Sequence, residues 1–330
     1  MRPASGTGAS LQHADHAAAL ARFAADVEYY LLQDPRQLPS RYLYDELGSA
    51  LFEAICRLPW YAVTRAEGRL LEIHKRDVLQ SASPTVIVEL GSGSGEKLSR
   101  LLDASTGRGR SPAIHLVDVS AAALEQAART LMMDHGVDIT AHRARYEEGL
   151  HDAALSFGPA DRVLVLFLGS NIGNFDPPSC DAVLRSIRAE LRAGDTLLLG
   201  ADLVKPRRRL QLAYDDPLGV TAAFNLNLLV RVNRELEGDF AVERFAHRAV
   251  WNADASRIEM HLVAKTAQDI HVKSAGLQCS MRAGEPIWTE SSYKYHADEI
   301  GPLLERAGFR PLRQWIDTPD AFVLTLGEAV

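Results

Sequence analysis

The sequence predicts an α/β protein: a doubly wound, Rossmann-like parallel sheet with a second, discontinuous α+β domain. Three observations predict it. Short β-branched runs alternate with helical stretches from Val86 to Leu203. A glycine loop, VELGSGSGEK, follows the first of those runs. The alternation stops after Leu203 and a helix–strand–strand pattern returns from Glu299. Strand–helix alternation of this kind implies parallel strands joined by right-handed crossovers.

Residues 1–12 are small, polar and glycine-containing, and are expected to be a disordered tail. From His16 to Leu32 the pattern AAALARFAADVEYYLL has helical periodicity. A loop with Pro35 and Pro39 follows, then a helix around Leu51–Arg57 that ends before Pro59, and another over Arg65–Gln80. VIVEL (Val86–Leu90) reads as a buried parallel strand. Lys97–Ala104 is helical, IHLVDV (Ile114–Val119) is the second strand, and Ser120 caps a helix over Ala121–His135. A weak third strand covers Asp138–His142 and the fourth covers Val163–Leu168. Asp181–Leu191 is a helix, and Gly194 and Asp195 turn the chain into a fifth strand, Thr196–Leu203.

Beyond it, Val220–Leu236 reads as a helix, and three strand-like runs lie near 240–251, 257–266 and 270–278. The tail returns to the first style, with a helix over Glu299–Ala307 and strands over Phe309–Ile316 and Phe322–Leu326. The sheet domain is therefore assigned to 65–203 and 295–330, and the second domain to 13–64 and 204–294.

Composition excludes several classes. The chain has 330 residues, 47% apolar and 24% charged, and its 43 acidic against 36 basic side chains leave a net charge of −7. That balance disfavours a nucleic-acid binder. The one basic run, KPRRR from Lys205, reads as a solvated turn. Cys56, Cys180 and Cys279 lie far apart with no CxxC pair, so no local zinc motif is present and a reducing, cytoplasmic setting is expected. No apolar run approaches a membrane span. The expected state is a monomer with a small-molecule substrate and neither nucleic acid nor membrane as partner.

The glycine loop selects the cofactor. Glycines at 91, 93 and 95 allow close approach of backbone to ligand at a helix N-terminus. A dinucleotide fingerprint needs a third glycine at position 96, where this chain has Glu96, so a nicotinamide cofactor is disfavoured. GxGxG preceded by an acid is instead the usual loop for S-adenosylmethionine in doubly wound methyltransferases, and Glu89 suits a cationic ligand. Asp118, ending the second strand, is placed to accept from ribose hydroxyls.

VELGSGSGEK, FLGSNIGNF, ADLVK with AYDDPLGVTAAFN, RIEM, TESSYKY and RYLYDELGSALFEAICRLPWYAVTRAE together resemble the L-histidine Nα-methyltransferases of ergothioneine biosynthesis, over about residues 20–325. The resemblance implies trimethylation of the histidine α-amine to hercynine at the expense of S-adenosylmethionine. It implies that Asn174 and Tyr44 position the amine, that Tyr61 and Tyr214 hold the carboxylate side, and that Gly169 leaves room for the substrate backbone. Phe52 reads either as a core residue or, with Tyr44, as an aromatic wall beside the amine. Glu290 and Ser292 would bond the imidazole, and Met260 would pack beside it. Asn171 is read as a turn or capping residue. For the cofactor, Gly91, Gly93, Lys97, Asp118 and Tyr146 carry over. One departure concerns the adenine: where the family has an acid before the aromatic, this chain has Arg145, which has no acceptor, leaving Tyr146 to cover the ring and Glu147 as the alternative acid. Trp60 stands where an acidic residue is common. Rival readings are a methyltransferase for another amino acid or histidine derivative, and a non-catalytic S-adenosylmethionine-binding module.

Overall fold

The computed structural model describes residues 7–104 and 111–330, with side chains from Ala17 in the first segment. Of the tail expected over residues 1–12, residues 1–6 lie outside the described residues. Residues 7–12 form the first turns of a helix. That helix is α1 (Thr7–Leu31), followed by β1 (Arg36–Gln37), α2 (Glu46–Cys56), α3 (Val63–Ala82), β2 (Val86–Leu90), α4 (Glu96–Leu102), β3 (Ala113–Asp118) and α5 (Ala121–His135). Next come β4 (Ile139–Arg143), α6 (Tyr146–Ala154), β5 (Val163–Phe167), α7 (Pro177–Ala189), β6 (Thr196–Asp202), α8 (Arg207–Tyr214) and α9 (Val220–Leu236). The chain finishes with β7 (Phe245–Asn252), β8 (Arg257–Ala264), β9 (Gln268–Val272), β10 (Leu277–Met281), β11 (Pro286–Tyr293), α10 (Ile300–Arg306), β12 (Phe309–Asp317) and β13 (Phe322–Ala329).

Two compact units emerge. The smaller comprises Met1–Leu51, Asp215–Val250 and Glu259–Glu290; the larger comprises Phe52–Tyr214, Trp251–Ile258 and Ser291–Val330. These bounds differ from the expected ones, because residues 52–64, 204–214, 251–258 and 291–294 go with the large sheet. The physical cause is local: Phe52 packs on Tyr61 and Tyr61 on Tyr214, and Lys294 reaches the acid that ends β6.

The larger unit is built on a seven-stranded sheet in the order β12-β13-β6-β5-β2-β3-β4. β6, β5, β2, β3 and β4 run parallel, while β13 is antiparallel to both β6 and β12. β2 and β5 are buried along their whole length, which is why their sequences are unbroken apolar runs apart from Glu89. The chain moves outward from β2 to β3 and β4, then returns to β5 on the other side. Strand order therefore reverses between β2 and β5, and their carboxyl ends flank the crevice where open α/β sheets bind ligands.

Helix ends follow their capping chemistry. Ser120 Oγ accepts from Ala123 N at 3.3 Å to open α5, and Gly136 closes it in the left-handed conformation. α7 begins four residues before the expected Asp181, with the Asp176 carboxylate accepting from Ser179 N at 2.9 Å and Pro177 in the first turn. α6 was not expected from periodicity, and its N-cap Arg145 makes no side-chain capping bond. KPRRR is not a solvated turn throughout: α8 starts inside it, and the Lys205 side chain is buried on Asp202 at 2.6 Å.

In the smaller unit, α9 and α1 accompany a sheet in the order β1-β11-β8-β7 and a β9–β10 hairpin. Phe23 stacks on Tyr42 with centroids 4.1 Å apart. Asp45 accepts from Gly48 N at 2.8 Å, Asn227 Nδ2 at 2.7 Å and Arg234 at 2.7 Å, tying the start of α2 to α9. Asp216 accepts backbone N–H groups of Leu218, Val220 and Thr221 and so opens α9. Among the described residues, no helix is long and apolar enough to cross a membrane.

Candidate active site

Three glycines turn β2 into α4: Gly91, Gly93 and Gly95 have φ of +79°, +49° and +76°. Only glycine visits this region cheaply. At Gly91 space is excluded as well, since a Cβ there would stand 2.5 Å from Asn171 Nδ2 and 3.4 Å from the Tyr146 hydroxyl. Gly91→Ala is therefore expected to weaken S-adenosylhomocysteine binding about tenfold by calorimetry, the scale of one residue forced into left-handed geometry. An unchanged affinity would show that the loop relaxes around a methyl group.

Behind the loop lies a buried acid. Glu89 is 1% exposed, and its Oε2 has no hydrogen-bond partner. Burial pushes its pKa up to about 8; Glu67 and Asp118 add to the shift and Lys97 opposes it. Asp118 Oδ1 accepts from Ser120 N at 2.9 Å, and its Oδ2 stands 3.5 Å from Gly93 N. Its pKa is raised by burial, against those backbone bonds. Tyr146 lies edge-on to Phe167 with centroids 5.2 Å apart, and its hydroxyl faces Gly91. Arg145 and Glu147, either side of it, are exposed. A cavity of about 620 Å³ opens on the loop, lined in part by Phe52, Tyr61, Gly93, Lys97, Gly169 and Asn171. A glycine cradle, a buried acid with one orphaned oxygen and a second acid at the next strand's end fit S-adenosylmethionine, which is cationic at its sulfonium and its amine.

Lys97 is held from below by a residue that sequence reasoning missed. Glu67, on α3 and fully buried, lies 2.7 Å from Lys97 Nζ and accepts from Gly169 N at 2.7 and 2.9 Å. Burial pulls the Lys97 ammonium down, but Glu67 overrides this and leaves its pKa above the ordinary value. A Cβ at position 200 would stand 2.2 Å from Glu67 Oε1, so Gly200 makes room for the carboxylate.

After β5 the chain turns sharply. Gly169 and Ser170 are left-handed, at φ +76° and +58°, and Ser170 Oγ accepts from Asp202 N at 2.9 Å. Asn171–Asn174 then form a 3-10 turn. Here the two asparagines part: Asn171 lines the cavity and reaches Gly91, which goes beyond the turn role expected for it, while Asn174 is exposed at the turn's end.

Aromatic rings form a second group in the larger unit. Phe52 and Tyr61 are edge-on with centroids 6.2 Å apart, and Tyr61 and Tyr214 likewise at 6.1 Å. The Tyr214 hydroxyl lies 2.8 Å from Ser292 Oγ. Two unforeseen residues complete this group, the fully buried Lys294 and its partner Asp202. The signal was in the sequence: Lys294 is two residues after Ser292 on the same strand-like run, and Asp202 stands at a strand's carboxyl end.

In the smaller unit, Tyr44 lies edge-on to Phe224 with centroids 5.5 Å apart. Glu290 and Met260, both buried, sit on the neighbouring strands β11 and β8, where Thr289 Oγ1 donates to the Met260 carbonyl at 3.0 Å.

The family described as histidine-specific, SAM-dependent methyltransferase matches residues 23–329. A histidine N-alpha-methyltransferase of Mycolicibacterium smegmatis is 41% identical over 302 residues, 91% of this chain and 93% of that protein. Ergothioneine biosynthesis protein 1 of Schizosaccharomyces pombe is 29% identical over 292 residues, 86% of this chain and 37% of that protein. An L-tryptophan methyltransferase of Psilocybe serbica is 28% identical over 324 residues, 89% of each chain.

Proposed function

The chain belongs to the histidine-specific, S-adenosylmethionine-dependent methyltransferases, and from that premise we propose that it trimethylates the α-amine of L-histidine to hercynine, a step of ergothioneine biosynthesis. Membership of that family carries the reading, and the buried Glu89 behind the glycine cradle, with its Oε2 unbonded, supports its cofactor half.

Bound at the loop, S-adenosylmethionine supplies an electrophilic methyl group on a sulfonium. The chain's own residues hold and orient. Backbone at Gly91 and Gly93 lies against the ligand, Glu89 answers its positive charge, Asp118 accepts from the ribose, and Tyr146 covers the adenine, with Lys97 at the loop's far side. Asn174 and Tyr44 orient the α-amine, whose lone pair must face the methyl carbon. Tyr61 and Tyr214 take the carboxylate, and Gly169 leaves space for the amino-acid backbone. Phe52 offers a ring face to an amine that gains permanent charge as methyls accumulate, worth about 0.5–2 kcal/mol. Glu290 and Ser292 read the imidazole and Met260 packs against it. A neutral amine displacing a sulfide develops no oxyanion, so alignment and exclusion of water account for the rate, up to about 7–11 kcal/mol in favourable systems.

The test is mass spectrometry of histidine incubated with the protein and S-adenosylmethionine. Three methyl groups on the α-nitrogen are expected. Methylation of tryptophan in preference to histidine would replace the substrate, and methylation of neither would overturn the reading.

A further inference from the structure

Lys294 is the most completely buried cation of the larger unit's site, with no exposed side-chain surface. Its ammonium has three hydrogens. Three acceptors stand around it: Asp202 Oδ2 at 3.0 Å, the Tyr214 hydroxyl at 2.8 Å and Ser292 Oγ at 2.8 Å. The nitrogen also lies 4.7 Å from the Tyr214 ring centroid. Burial pulls the ammonium toward deprotonation, but Tyr214 and Asp202 together hold its pKa above the ordinary value.

This arrangement fixes the direction of hydrogen bonding. A hydroxyl that accepts from Lys294 must send its own hydrogen elsewhere. Tyr214 and Ser292 both accept from Lys294 and lie 2.8 Å apart, so one hydroxyl hydrogen occupies the line between the two oxygens. The second is directed away from the ammonium. Charge points the same way. Lys205 Nζ lies 2.6 Å from Asp202 Oδ1, so the ion pairs of Lys205 and Lys294 both end on a single carboxylate. One positive charge is left over beneath the two hydroxyls, which favours an anionic group in front of them.

We propose that Lys294 is a positioning residue for substrate recognition: with Ser292 it holds the Tyr214 hydroxyl as a directed donor to the carboxylate of the amino-acid substrate. The inference rests on the proposed function, which gives Tyr214 the carboxylate. It adds the group that makes that tyrosine a donor and the reason a carboxylate is preferred.

The experiment uses Lys294→Met, in which Asp202 keeps Lys205. S-adenosylhomocysteine affinity shows whether the variant is folded. KM for histidine is then compared with the inhibition constant of histidinol, which carries an alcohol in place of the carboxylate. Loss of a charge-assisted hydrogen bond should raise the histidine KM about tenfold or more. The histidinol constant should move less than about threefold, since it never drew on the surplus charge. Tyr214→Phe should lose most of the same discrimination, and adding Lys294→Met to it should change little further. An unchanged KM, or histidine and histidinol weakened in parallel, overturns the proposal. Should Lys294→Met fail to bind S-adenosylhomocysteine, Lys294→Gln reads the same ratio. A wild-type protein that binds S-adenosylhomocysteine but does not methylate histidine overturns the functional reading, and this inference with it.

Discussion

Glu67→Ala is expected to lower the unfolding midpoint by about 6–20 °C and to remove most affinity for S-adenosylhomocysteine. The substitution strands two groups at once, the ammonium of Lys97 and the N–H of Gly169, both now bonded to a carboxylate with no exposure. Removing one partner of a buried pair costs about 3–5 kcal/mol, and each kcal/mol is worth about 2–4 °C in a domain of this size. Affinity falls for a separate reason: Lys97 and Gly169 both line the ligand cavity, and Glu67 bonds to both. Glu67→Gln keeps an acceptor for Gly169 and should fall between. Scanning calorimetry and ligand titration decide it, and a midpoint shift under about 2 °C would remove Glu67 from its central place.

The second large effect is on pH dependence and comes from Glu89. An ordinary glutamate ionises near 4.5, whereas burial holds this one up to about 8. In the free protein Glu89 therefore carries a proton through neutral pH, and a cationic ligand must expel it. Affinity for S-adenosylhomocysteine, which keeps the ammonium, should rise with pH by up to about tenfold per unit between about 6 and 8, then level off. Stability moves the opposite way. Between 4.5 and 8 the folded chain binds a proton at Glu89 that the unfolded chain does not, so this residue's contribution to folding weakens as pH rises through that window. Glu89→Gln should flatten both curves and bind weakly at every pH. Calorimetric titrations at several pH values, with midpoints measured in parallel, test both signs, and a wild-type affinity independent of pH would refute the assignment.

Much of the larger unit could be read from local signals. Val86–Leu90 is apolar and β-branched around a single acid, and it is a strand with those bounds. Ala121–His135 has a serine before it and a glycine after it, and is a helix with those bounds. The glycine loop was legible because its chemistry sits in consecutive residues. What escaped has one cause: it depends on partners distant in sequence. Glu67 looks like one more acid on an amphipathic helix until Gly169, 102 residues away, folds onto it. Lys294 looks like a solvated lysine until Asp202 and Tyr214 surround it. Asn171 reads as a turn residue because the turn is real, and only Gly91 across the crevice reveals its second use. Periodicity reports which face is apolar and does not say which polar residue on that face will find a partner.

The place of β13 between β6 and β12 bears on how this protein is made. On the ribosome, the edge of β6 from Thr196 to Asp202 stays unpaired until Phe322–Ala329 have been synthesised and have left the exit tunnel. An apolar strand edge open for that interval is a place for chaperones to bind or for nascent chains to stick to one another. The segments of the smaller unit all precede residue 291 and leave the tunnel earlier.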